Sequence, residues 1–252
     1  MENKIFLKTP SDINIMAEGG KKLSKIKKAL KEFISEGVRA SDIEELAQKL
    51  IEKEGGRPSF MMVPGYKWAT CVNVNDGLVH GIPKNEVVFK KGDIVSVDVG
   101  FFYKGFHTDT SFTVGLTSDG GVEKFLKTGH LALKKAIHQV QVGKRIFDIS
   151  KAIEDVVKAQ GYSPIKALVG HGVGRGLHEG PQIPCFTQGK KEESPKIILG
   201  MVLAIEVMYA QGSEEVEINE DGWTISMRDA KISALYEETV AITKHGPLVL
   251  TG

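Results

Sequence analysis

The chain repeats itself, and the repeat limits its fold more than any compositional figure does. Residues 37–43 read GVRASDI and residues 143–149 read GKRIFDI, agreeing at Gly, Arg, Asp and Ile. A helical pattern precedes each match and another follows it. After the first comes DIEELAQKLIEKEGG, where Ser41 and Glu44 have capping-box spacing and Gly55-Gly56 supply a stop. After the second comes DISKAIEDVVKAQGY, with Gly161 in the corresponding place. Strand patterns repeat in the same order. KGDIVSVDVG at 91–100 aligns with LGMVLAIEVM at 199–208, setting Gly92 over Gly200 and Asp98 over Glu206, and DTSFTV from Asp109 resembles EETVAI from Glu237. The spacing between copies grows at this last match, which fits an extra excursion around EEVEINEDGWTISMRD. The expected architecture is α+β: one domain over 1–252, built from a pseudo-twofold duplicated helix-helix-strand-strand unit around a central curved antiparallel sheet, with halves at roughly 8–115 and 122–250.

Composition narrows the class. The 252 residues are 41% hydrophobic and 26% charged with a formal net charge of +1, values of an ordinary soluble domain rather than a disordered chain or a nucleic-acid binder. Cys71 and Cys185 make no disulfide framework, which fits a reducing cytosol. The opening MENKIFLKTP has no apolar signal region, and no run reaches the about 18 apolar residues of a membrane span, so a cytoplasmic protein without a membrane partner is expected. In KKLSKIKKALKEF, Leu23, Ile26, Leu30 and Phe33 recur at helical spacing and should be buried, leaving the Lys21–Lys31 face outward. The plain reading of that face is a solvated surface; the sharper one is transient electrostatic contact with RNA or a ribosome.

Two acids interrupt the strand pair DIVSVDVGFFYKGFHTDTSFTV. A two-residue turn at Tyr103-Lys104 would set Asp98 opposite Asp109, and a turn at Lys104-Gly105 would make them diagonal neighbours. Either way they share one face, while Val95, Val97 and Val99 point to the core. Facing carboxylates repel, so a cation must lie between them or one must be protonated. Glu206 alternates with Leu203, Ile205 and Val207 as Asp98 does with its valines. With Glu237, the acids converge on the symmetry axis, and four anions there call for about two divalent ions some 3.5–4 Å apart. Of seven histidines, His130, His138 and His245 read as structural or surface, and His107 reads as a residue of the pocket rim or one supporting the ligands from behind, rather than as a ligand. His171 and His178 lie in the glycine-dense VGHGVGRGLHEGP, placed between the halves; spacing alone leaves His171 open as a ligand. That segment is no phosphate loop, lacking both GK[ST] and G-x-G-x-x-G.

In order along the chain stand HGIP at 80–83, VDVGFFYKGFHTDTS, GHGVGRGLHE, AIEV and YEET. With them the sequence resembles the type I methionine aminopeptidases of the pita-bread fold, from KTPSDI through ALYEETVAIT. The resemblance implies a metal-dependent hydrolase that removes the N-terminal methionine of nascent chains with a small second residue, through a metal-activated hydroxide. By the same resemblance Asp98 binds one metal, Asp109 and Glu237 bridge two, and His171 and Glu206 complete the second. Glu206 also handles the proton, His80 meets the scissile amide nitrogen, His178 meets the carbonyl, and Cys71 and Trp223 line the methionine pocket. Two divalent ions (Co, Mn, Fe or Zn), a monovalent cation, nascent N-termini as partners and a monomeric state are further implications. The chain departs from the family pattern at Val63, at Lys67-Trp68 and at Leu177, all near the methionine pocket. It lacks the helical insertion of type II forms and an N-terminal zinc-binding extension, as bacterial forms do. The same fold has two other uses. Non-catalytic pita-bread modules typically lose one or more of the five ligand positions, all kept here. X-Pro peptidases usually carry a large extra N-terminal domain, whereas a short segment precedes the first helix here.

Overall fold

In the computed structural model, which describes residues 4–252, the first helix starts where its cap dictates. Residues 1–3 of the expected 1–252 span lie outside the described residues. Thr9 Oγ1 accepts the Asp12 N–H at 3.2 Å, the Asp12 carboxylate takes the Thr9 N–H at 2.9 Å, and Pro10 opens α1 (Pro10–Phe33). Leu23, Ile26 and Leu30 are buried as their spacing requires, but Phe33 is 42% exposed. The helix ends there, and the next residue, Ile34, turns inward in its place.

The repeated Gly-x-Arg-x-x-Asp-Ile has a local cause, and it differs from the expected Ser41–Glu44 capping box. Asp42 accepts the Arg39 N–H at 2.9 Å at the start of α2 (Ala40–Lys53), and Asp148 accepts the Arg145 N–H at 2.9 Å at the start of α4 (Ile146–Ala159). Gly37 and Gly143 adopt φ of +86° and +91°, open to glycine at no steric cost. Ile43 and Ile149 are wholly buried. Ser41 Oγ instead donates to Asn85, and Glu44 turns inward. The remaining helix, α3 (Gly120–His138), precedes α4 as α1 precedes α2.

Between α2 and α3 run β1 (Arg57–Pro58), β2 (Thr70–Val74), β3 (Gly77–Val79), β4 (Ile94–Tyr103) and β5 (Phe106–Gly115). After α4 come β6 (Ser163–Pro164), β7 (Val169–Gly172), β8 (Glu179–Pro184) and β9 (Val202–Ala210), then β10 (Val216–Ile218), β11 (Ile225–Met227), β12 (Ser233–Thr243) and β13 (Gly246–Val249). The main sheet joins the halves at the antiparallel β5–β12 pair. Outward from it lie β4, then β1 and β2, on one side, and β9, then β6, β7 and β8, on the other; β13 folds back on β12. The expected excursion is the β10–β11 hairpin, which pairs with β3 in a small separate sheet. VGHGVGRGLHEGP does not lie between the halves: it spans the β7–β8 hairpin, at the edge of the second half beside β9.

Two registers place the acids. Tyr103 pairs with Phe106, so the turn is Lys104-Gly105, with φ of +47° and +89°. Asp98 therefore faces Ser111, Asp109 faces Gly100, and the two acids are diagonal neighbours. On the other side Glu237 faces Glu206. The first-half counterpart of Glu237 is thus Ser111, and the expected pairing of Asp109 with Glu237 as symmetry mates is two residues out of step. Because side chains alternate with a period of two, that slip leaves all the acids on one face. The other face is apolar. Val95, Val97 and Val99 pack with Leu23, Ile26 and Ile43 of α1 and α2, and Leu203, Ile205 and Val207 pack with Phe125, Ile149 and Ile153 of α3 and α4. The helices therefore cover one face of the sheet and leave the acid-bearing face open. Among the described residues no helix is long and apolar enough to cross a membrane.

Candidate metal centre and substrate cavity

Four neighbouring strands each place one residue in a row. Asp98, Ser111, Glu237 and Glu206 are successive partners across β4, β5, β12 and β9. Asp109 stands two residues nearer the hairpin turn than Ser111, and His171 on β7 pairs with Ala204, two residues from Glu206. Period-two alternation turns all of these toward one space. Ligand atoms of Asp109, His171 and Glu237 lie within 4.8 Å of one another, and His171 Nε2 is 3.5 Å from Glu206 Oε1.

The electrostatics of this cluster are unfavourable as it stands. Asp109, Glu237 and His171 are almost wholly buried. Burial pushes Asp109 up to about 7, and burial with repulsion from Asp109 pushes Glu206 up to about 8. Asp98 and Glu237 are driven well above the usual carboxylate range, first by burial and then by their acidic neighbours. Among the described residues, Asp98 Oδ1 and Glu237 Oε1 have no hydrogen-bond partner. His171 Nδ1 lies 2.9 Å from the Gly172 carbonyl, which can only accept, so Nδ1 carries the proton and Nε2 turns a lone pair toward Glu206. Burial lowers His171 to about 3, so the ring is neutral at pH 7. A neutral imidazole whose far N–H is held by a carbonyl, beside buried carboxylates with free oxygens, is the donor set of a divalent metal site. The residues fit the ion that the sequence implied.

A cavity of about 220 Å³ continues from this cluster, and every site residue selected from the sequence lines it: Asp98, Asp109, His171, Glu206 and Glu237, with His80, His178, Cys71 and Trp223. His80 follows β3 at φ +57°, a left-handed conformation that costs a non-glycine residue about 1–2 kcal/mol and is found at sites that need it. The His178 ring stands edge-on to that of His171, with centroids 4.6 Å apart. Partial burial lowers both His80 and His178 from the ordinary imidazole value.

The far wall is apolar. Cys71 on β2 pairs directly with Asp98, and Phe60, Tyr66 and Leu177 are buried around it with Val63 and Trp223 at the margin. Tyr66 organises this wall: its hydroxyl donates to the Thr70 carbonyl at 2.9 Å, and the rings of Trp68 and Trp223 meet it edge-on at 5.2 and 5.1 Å. The atypical VPGYKWATC thus forms the pocket wall that its departures pointed to.

Three supports carried no sequence signal. Phe60 and Val79 line the cavity without breaking any pattern. Glu44 accepts from the Ala69 N–H at 2.6 Å and the Thr70 N–H at 2.9 Å, fixing the start of β2 and hence Cys71. Buried Lys8 donates to buried Glu179, which also accepts the Gly176 N–H at 2.9 Å, so the segment before α1 pins the hairpin that carries His178. His107, expected at the rim, is buried against Phe102 with Nδ1 2.9 Å from Ser59 Oγ, and it does not line the cavity.

Known proteins share this sequence pattern and fold. Residues 14–244 match the model of metallopeptidase family M24. The chain is 39% identical over 248 residues to the methionine aminopeptidase of Clostridium perfringens, with 98% of each chain covered. It is 39% identical over 249 residues to methionine aminopeptidase 1 of Bacillus subtilis, covering 98% of this chain and 99% of that one. The crystal structure of the Thermotoga maritima methionine aminopeptidase superposes with a TM-score of 0.95 at 40% identity, covering 98% of this chain and 99% of the other. With its full-length matches and its pita-bread fold, the chain belongs to metallopeptidase family M24, among the type I methionine aminopeptidases.

Proposed function

We propose that the chain removes the initiator methionine from nascent polypeptides and peptides whose second residue is small, and that Asp98, Asp109, His171, Glu206 and Glu237 hold two divalent metal ions for that reaction. One observation carries the reading: a single cavity of about 220 Å³ joins orphaned buried carboxylates at one end to an apolar wall at the other. Asp98, Asp109, His171, Glu206 and Glu237 would be the residues that hold the ions. When bound, such a pair lowers the pKa of a water molecule and polarises the scissile carbonyl.

The chain's own groups do the rest. Glu206 receives the proton of the attacking water and passes it toward the departing amine, as a cavity-lining carboxylate beside the reacting groups can. His178, open to the cavity, donates a ring N–H to the carbonyl oxygen as charge develops there. His80 holds the scissile nitrogen in line. The methionine side chain lies along Cys71, Tyr66, Leu177 and Trp223, where a flexible thioether gains contact with aromatic edges. On α1, Lys22 and Lys27 are paired with Glu54 and Glu238, and Lys25 and Lys28 stand 3.9 Å from Glu54 and Glu32 in exposed pairs; with Lys21 and Lys31 these outward lysines supply a salt-sensitive contact with the ribosome.

The activity reading is tested by giving metal-loaded protein Met-Ala-Ser, Leu-Ala-Ser, Met-Leu-Ser and an X-Pro dipeptide. Methionine should be released from the first alone at an appreciable rate. Release of another N-terminal residue with Met-Ala-Ser left intact would reassign the substrate.

A further inference from the structure

We propose that Ser111 is a positioning residue of the metal centre: its hydroxyl donates its one proton to one of the two carboxylates opposite it, Asp98 or Glu237, and holds that carboxylate in its coordinating orientation. The proposal rests on the ligand assignment above.

Strand β5 carries Thr108, Thr110, Ser111 and Thr113. Thr108 Oγ1 donates to the Phe101 carbonyl, Thr110 Oγ1 to the Glu237 carbonyl and Thr113 Oγ1 to the Leu235 carbonyl. Ser111 Oγ alone has no partner, although the residue is only 3% exposed. A buried hydroxyl left unpaired is unfavourable, so it needs an explanation. Two of the three other orphaned atoms among the described residues supply one; the third is Asn73 Nδ2 on β2. Asp98 Oδ1 and Glu237 Oε1 are also buried and unpartnered, and these are the two residues directly opposite Ser111, one on β4 and one on β12. Directly opposed side chains on one face stand about 4.5–5.5 Å apart at Cβ, within reach of a serine–carboxylate hydrogen bond after a rotamer change.

A coordinating carboxylate is an acceptor only, and a serine hydroxyl is a donor. The row Asp98–Ser111–Glu237–Glu206 contains no other side chain that can donate to ionised carboxylates, and among the described residues no lysine or arginine forms an ion pair with any of them. Register adds to the argument. Ser111 occupies in the first half the position that Glu237 occupies in the second, so the duplication put a donor where strict symmetry would have put another anion. Groups that orient metal ligands in this way typically change metal affinity by 10–100-fold when removed.

The test is calorimetric titration of Mn²⁺ into metal-stripped parent, Ser111→Ala, Ser111→Thr and Asp98→Ala, with the thermal midpoint of each metal-stripped protein measured alongside. Ser111→Ala should bind Mn²⁺ at least about tenfold more weakly. Its metal-stripped midpoint should be unchanged or higher, because the lost hydroxyl had no partner there. Ser111→Thr should return the affinity to within about threefold of the parent. Parent-like affinity in Ser111→Ala, or a metal-stripped midpoint that falls together with affinity, would overturn the positioning role while leaving the ligand assignment standing. A parent that binds no Mn²⁺, or an Asp98→Ala variant that binds as tightly as the parent, would overturn the ligand assignment and the proposal with it.

Discussion

A carboxylate in mid-strand is unfavourable three times over: it is a poor strand former, costly to bury and repelled by its like. Asp98, Asp109, Glu206 and Glu237 accept all three penalties together, and that made them legible in the sequence. Ser111 carries no signal of its own, because a serine in a strand is unremarkable; only the register reveals what it meets. The same charges set a pH dependence. Asp109 and Glu206 titrate in the folded chain near 7 and 8, above their unfolded values near 4, so the native state holds the extra protons. The metal-free protein is therefore most stable below pH 4 as far as these groups are concerned, and it loses that contribution as pH rises toward about 8. Metal binding needs the ionised forms, so the gap in thermal midpoint between metal-loaded and metal-free protein should widen from pH 5 to pH 8; a gap that narrows would contradict the assignment. Asp109→Asn removes one mutually repelling charge. It should leave the metal-free protein at least as stable at pH 8 while weakening metal binding, read by melting and titration of the same sample. His80→Gly relieves a left-handed backbone and should cost no stability, yet turnover should fall about 10²-fold or more. A variant that melts lower and turns over normally would mean that His80 serves the backbone.

At the scale of elements, the helix starts and stops of the repeat were legible because Gly, Arg and Asp do local work there, at Arg39–Asp42 and again at Arg145–Asp148. The second strand match was legible only to within two residues. DTSFTV and EETVAI align best by residue type with Asp109 on Glu237, whereas the ladder sets Ser111 in that place. A slip of two preserves the face, so alternation cannot detect it. Contacts distant in sequence were not legible either, and Lys8–Glu179 is the clearest case, joining the segment before α1 to the β7–β8 hairpin. Removing one member of a buried pair strands the other charge, so Lys8→Met should cost about 3–5 kcal/mol in denaturant unfolding. Lys8→Met with Glu179→Leu should recover much of that loss. A single-variant cost below about 1 kcal/mol would show that the pair is solvated in solution.

For the whole molecule, the duplication places the site on the seam. Asp98 and Asp109 come from the first half, and His171, Glu206 and Glu237 from the second, meeting across the β5–β12 junction. The helices of both halves cover the opposite face, so the apolar core and the polar site share the two sides of one sheet. The fold class could be read from the repeat, but the order of strands could not, because which edges β1, β2, β6 and β8 would join depends on packing rather than on any local signal. Bound metal acts as a ligand of the native state alone and should add about 2.7 kcal/mol when present at 100 times its dissociation constant. Chelation should remove that increment in one cooperative step.

The most direct measurement is a count of bound metal taken together with release of free methionine. Metal-stripped protein would be titrated with Mn²⁺, parent beside Asp109→Ala, with Met-Ala-Ser as substrate. The account predicts two ions per chain at saturation, release that rises with occupancy, and loss of both tight binding and release in the variant. Parent-strength metal binding or full release by Asp109→Ala would contradict it.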